Sequence, residues 1–158
     1  MAVKQSLESD LRTILRDAQT EENVELTRLQ FIEHGKGGDP GFPDCLVSVT
    51  HHGPRMIGVE LKRGKSVVGE LRPTQRLWHK SMLMAGHVTF GLTLVTREKK
   101  RRTIDLFQLL LASDGTSARR KLAEDLIFCV DEEQFSLRKM LGLIEDRVID
   151  AYEPRNGD

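Results

Sequence analysis

Cysteines, net charge and long apolar runs are what this chain has least of. Its two cysteines, Cys45 and Cys129, match no disulfide framework and no metal-ligand spacing, so both are expected to be reduced core residues of an intracellular protein. No apolar run approaches the roughly 20 residues that a membrane-spanning helix needs. Residues 1–8, Met-Ala-Val-Lys-Gln-Ser-Leu-Glu, lack the apolar stretch of a secretory signal. Internal repeats and low-complexity tracts are absent as well.

The missing net charge is an average over two opposite excesses. Between residues 55 and 102 there are twelve Lys/Arg and three Asp/Glu, which leaves twelve basic and twenty-one acidic residues elsewhere. A basic middle between acidic flanks can attract phosphate, although such runs are often no more than solvated surface. With 158 residues, 39% hydrophobic and 30% charged, the chain has the make-up of one globular domain over 1–158.

Residues 6–18 carry apolar side chains at Leu7, Leu11, Ile14, Leu15 and Ala18, the spacing of an amphipathic helix, with Ser6 as N-cap. Glu8 and Asp10 flank that stripe on opposite sides, and periodicity does not choose between them. Residues 24–32 alternate like a half-buried strand, and 35–43, with four glycines and two prolines, exclude regular structure. Strands at 45–50 and 56–62, joined through His51–Pro54, form an antiparallel hairpin. A helix opens at Pro73 or Thr74 and ends at Gly86, with Leu77, Trp78, Met82 and Ala85 as its buried face. Strands follow at 87–96 and 103–110, then helices at 118–128 and 137–151. Strands flanked by helices on both sides predict a mixed α/β sheet covered on two faces.

The chain is organised around residues 39–62. Here Asp44 stands at the mouth of one strand, and the returning strand ends Glu60-Leu61-Lys62. Alternation puts Glu60 and Lys62 on one side and Leu61 on the other. Hard cations such as Mg²⁺ take oxygen ligands, commonly one or two carboxylates with water and phosphate. Asp44 and Glu60 supply the carboxylates, the Leu61 carbonyl a neutral oxygen, and Lys62 an amine able to orient water or stabilise charge growing on phosphate. An isolated Glu-x-Lys carries no such meaning; the combination does.

That combination is Gly41-Phe42-Pro43-Asp44, then Val59-Glu60-Leu61-Lys62-Arg63, then Leu71-Arg72-Pro73-Thr74-Gln75-Arg76, then Ala85-Gly86 before an apolar strand. It resembles the PD-(D/E)xK nuclease superfamily, and within it the VRR-NUC (virus-type replication–repair nuclease) branch. The resemblance covers residues 7–95. It implies a restriction-endonuclease-like core of order αβββαβ over 7–96, with a C-terminal extension over 97–152, read here as one strand and helices. It further implies a Mg²⁺-dependent DNA endonuclease, with Mn²⁺ able to substitute, that leaves a 5′ phosphate. Asp44 and Glu60 match the metal-binding acids, Lys62 the catalytic lysine and Gln75 a glutamine near the site, with a polar helix start as its plainer role. A carboxylate from the first helix completes the pocket; Glu8 is the choice, with Asp10 open. Asp39 suits loop capping better than metal.

Small stand-alone members of that branch, of phage or bacterial origin, imply a homodimer in the cytoplasm of a bacterium or phage-infected host. Branched DNA is the implied substrate, a four-way (Holliday) junction above all, in repair or recombination. Flap or restriction-type cleavage, and a non-catalytic DNA-binding protein, are the alternatives. Arg63, Lys65, Arg72 and Arg76 follow the catalytic strand, where phosphate contacts are expected. The run Lys99-Lys100-Arg101-Arg102 serves equally as a DNA grip or a soluble hairpin tip. The five histidines, His34, His51, His52, His79 and His87, show no metal spacing and are expected to be solvated or to touch DNA backbone.

Overall fold

The computed structural model describes residues 7–33, 41–51, 53–112 and 121–153, the side chains of residues 7–9 excepted. Six strands form one mixed sheet: β1 Leu29–Phe31, β2 Cys45–Thr50, β3 Pro54–Arg63, β4 Thr89–Thr96, β5 Arg102–Leu111 and β6 Leu122–Asp131, ordered in space as in the chain. All neighbours are antiparallel except β3 and β4. Parallel neighbours need a crossover, and the helix α2, Pro73–Met84, supplies it.

Helices α1 (Leu7–Glu21) and α3 (Leu137–Tyr152) cover one face. Leu11 and Leu15 of α1 and Leu141 and Ile144 of α3 share a buried core with Val59 and Leu61 of β3 and Leu92 of β4. The opposite face, under α2, has a smaller cluster of Val67, Leu71, Phe107 and Leu109. Strand alternation does the sorting: Leu61 goes to the first core, and Glu60 and Lys62 go to the α2 side. No helix among the described residues is long and apolar enough to cross a membrane.

The hairpin, α2, β4, β5 and α3 match the sequence reading; three expectations fail. Residues 122–131 are strand β6, not helix, because the free edge of β5 offers a ladder to a segment holding Ile127, Phe128 and Val130. Residues 118–120 lie outside the described residues. Of the strand expected at 24–32 only Leu29–Phe31 forms, since Asn23 turns left-handed (φ 55°) after α1 and a tight turn follows, Arg28 N–H donating to the Glu25 carbonyl. Cys45 is buried as expected, but Cys129, on the edge strand, is exposed.

The buried face of α2 also differs. Leu77 and Ala85 are exposed, Trp78 and Met82 are half-buried, and Gln75 and His79 are the fully buried positions. Gly86 closes the helix with φ +92°, as its position predicts.

Close packing on this face depends on Gly91, which stands across from Glu60 in the parallel pair. A Cβ there would lie 2.4 Å from Cγ1 and 2.9 Å from Cβ of the buried Val67. Gly91→Ala is therefore expected to cost about 1–3 kcal/mol, read as a lower urea midpoint. An unchanged midpoint would show that Val67 yields freely.

Candidate active site where β2 begins and β3 ends

Cys45 pairs with Val59, so the next position back, Asp44, lies across from Glu60. Side chains of directly opposed residues start about 4.5–5.5 Å apart. The Asp44 carboxylate continues the ladder beyond β2: Leu61 N–H donates to Oδ2 at 2.9 Å. Its other oxygen, Oδ1, accepts from Nη2 of Arg12 at 3.1 Å, an ion pair reaching across from α1. Arg12 and Asp44 have side chains 24% and 10% exposed, and they form the rim of the site.

Deeper in, Glu60 is fully buried, and its Oε1 lies 2.9 Å from Nε2 of an equally buried His79. An ionised carboxylate only accepts, so Nε2 carries the hydrogen toward it. Nδ1 is then an acceptor, with no donor in reach among the described residues. Trp78, edge-on to His79 with ring centroids 4.8 Å apart, closes the pocket against Gly58. Lys62, also buried, lies on the same side of β3 as Glu60.

Burial pushes the His79 ring down to about 4; the charge of Asp44 pulls it up and that of Lys62 pushes it down. The ring is thus neutral in the folded protein near neutral pH. Between about pH 6.5 and 4 the unfolded chain takes up a proton that the folded chain refuses, so this residue makes stability fall as pH falls through that window. The imidazole resonance of His79 is expected to stay unshifted above pH 5 in an NMR titration. Movement centred near 6.5 would mean that the charged ring is accommodated.

Asp44 stands one residue before β2, in the register that faces Glu60, and Lys62 is two residues beyond Glu60 on the same side of β3. Gln75 is buried in the first turn of α2, where its Oε1 accepts from the Arg72 N–H at 3.0 Å and caps the helix. Asp10 leaves the site, since Arg102 holds it at 3.0 Å on the opposite side of α1. Glu8 is in α1 one turn before Arg12, but its side chain, like Asp39 as a whole, lies outside the described residues. Among the described residues no group of three or more His, Cys, Asp or Glu is placed to hold a metal.

The basic residues divide. Arg63, Lys65, Arg72, Lys99 and Lys100 are exposed. Arg76 spends its Nε and Nη2 on the carbonyls of Leu71 and Val68. Arg101 is exposed and 3.6 Å from Asp131. Arg102 is no free grip: it joins Asp10 and Glu132, and its pKa is raised first by the Glu132 hydrogen bond, against burial. His79 overturns the solvated reading of the histidines, whereas His87 is exposed; His34 and His52 lie outside the described residues.

Sequence reasoning missed Arg12 and His79, and both had a usable signal. Arg12 is four residues after Glu8 and His79 four after Gln75, so each shares a helix face with a residue already assigned to the site. No family model, curated protein or solved structure matches the chain.

Proposed function

We propose that this chain is a Mg²⁺- or Mn²⁺-dependent DNA endonuclease with a restriction-endonuclease-like core. The observation that carries this reading is the register that sets Asp44, one residue before β2, across from Glu60 of β3, with Lys62 two residues on and on the same side as Glu60. The motif spacing and the order of one helix, three strands, the crossover helix and a parallel strand support the core assignment.

The donor set suits a hard cation. Two carboxylates and a backbone carbonyl are oxygen donors, within the one or two acids that Mg²⁺ commonly takes from protein. Asp44, Glu60 and the Leu61 carbonyl would hold the ion, with Glu8 as a further acid. Bound there, the cation would supply charge neutralisation at phosphate and a more acidic water. The chain's own contribution is positional. His79 fixes the Glu60 carboxylate, the Leu61 N–H and Arg12 fix Asp44, and Lys62 offers an amine to the attacking water or to charge developing on phosphate. A four-way junction is the proposed substrate and a symmetric dimer the proposed assembly, since paired cuts across a two-fold junction match two-fold symmetry.

The complete burial of Glu60 favours one rival, a non-catalytic protein in which these groups are a structural polar network. Cleavage of labelled junction, flap and linear duplex by the wild-type chain and by Glu60→Gln, with Mg²⁺ or with chelator, separates the two.

A further inference from the structure

Beyond the acid pair, the parallel strands β3 and β4 open toward a recess of about 650 Å³ lined by Lys65, Thr96, Arg97, Glu98, Lys99 and Arg101. We propose that this recess is a phosphate-binding site for the DNA backbone next to the cleaved bond, an inference that rests on the nuclease reading.

Four cations face one acid here, and they come from two separate segments, the exit of β3 and the β4–β5 turn. Arg97 is held from behind: its Nε donates to Thr103 Oγ1 at 3.0 Å and its Nη2 to Asp105 Oδ2 at 3.0 Å. Lys99 and Lys100 both have left-handed backbones, φ 58° and 59°, a conformation lysine keeps only where its surroundings impose it. Lys65 and Lys99 are exposed and enter no ion pair among the described residues, so their charge is available to a ligand.

A buried polar row joins the recess to the site. Lys62 pairs across with Thr93, Thr93 with Asp105, and Asp105 carries Arg97. Two strand spacings separate Lys62 from Asp105, about 10 Å. Phosphates of one DNA strand follow at about 3.4 Å of helix axis. A phosphate in the recess therefore belongs within about three nucleotides of one at Lys62. A phosphodiester backbone fits both stations; an isolated anion would need only one.

The test is equilibrium binding of the full chain to a labelled four-way junction and a short duplex in chelator, over about 50–200 mM salt. Lys65→Ala/Lys99→Ala is expected to bind on the order of tenfold more weakly and to flatten the log–log salt slope by about 1.8, two phosphate contacts at 0.9 each. Lys139→Ala, an exposed charge on α3, is expected to change neither quantity, and melting checks that all variants fold. An unchanged slope in the double variant, with wild-type binding intact, overturns the recess and leaves the nuclease reading standing. A flattened slope in a protein that never cuts keeps the recess and removes the nuclease. Tighter binding to phosphatidylserine vesicles than to DNA, lost in the same variant, would reassign the recess to membrane surfaces and overturn the proposal.

Discussion

Glu60→Gln is expected to lower cleavage of a four-way junction by on the order of 10³-fold, the loss of about 4 kcal/mol of transition-state stabilisation, while binding in chelator changes by no more than a few fold. Gln has the shape of Glu, and its side-chain oxygen still accepts from Nε2 of His79, so the buried contact survives. What disappears is the negative charge that would hold a cation. Lys62→Met makes the complementary change, keeping the apolar stem and removing the amine, and should also abolish cutting. Melting temperatures measured alongside separate lost chemistry from lost structure. If both variants fold, bind and cut like the wild type, or if the wild type cuts none of the three substrates with Mg²⁺, then Asp44, Glu60 and Lys62 are a structural network.

His79→Leu should have the largest effect on stability of any change at the site, a loss of about 3–5 kcal/mol near neutral pH, because it removes the donor facing a wholly buried carboxylate. The sign of its pH dependence is diagnostic. In the wild type, the depressed ring pKa makes stability fall as pH drops from about 6.5 to 4. In the variant that contribution is gone, so the fall in stability between about pH 6.5 and 4 should be smaller by the share that His79 carries. Urea midpoints across pH 4–8 for both proteins check this. Parallel profiles would mean that His79 does not carry this part of the pH dependence.

Much of the local structure was legible because it depends on local rules. Pro73 and Gly86 bracket α2, the three-residue connection between two apolar strands makes the β2–β3 hairpin, and the apolar stripe of 137–151 makes α3. The helix expected at 118–128 failed for a non-local reason: an unpaired β5 edge can capture any neighbouring segment with enough β-branched and aromatic residues, and no window of sequence contains that edge. The buried face of α2 failed similarly. Periodicity favours Leu77, but the surface beneath the helix is Glu60 and Gly58, which accept His79 and Trp78.

By itself the sequence determined which groups are candidates for chemistry, two acids and a lysine around one hairpin, and that the middle of the chain carries an excess of positive charge. The tertiary structure decided how those charges are neutralised. It sent Arg12 from α1 to Asp44, turned His79 onto Glu60, withdrew Asp10 and Arg102 into a separate network, and gathered Lys65 with the β4–β5 turn. The physical reason is that a buried charge must find its partner in space, and the partner's place in the chain is set by how helices and strands stack rather than by any spacing along it.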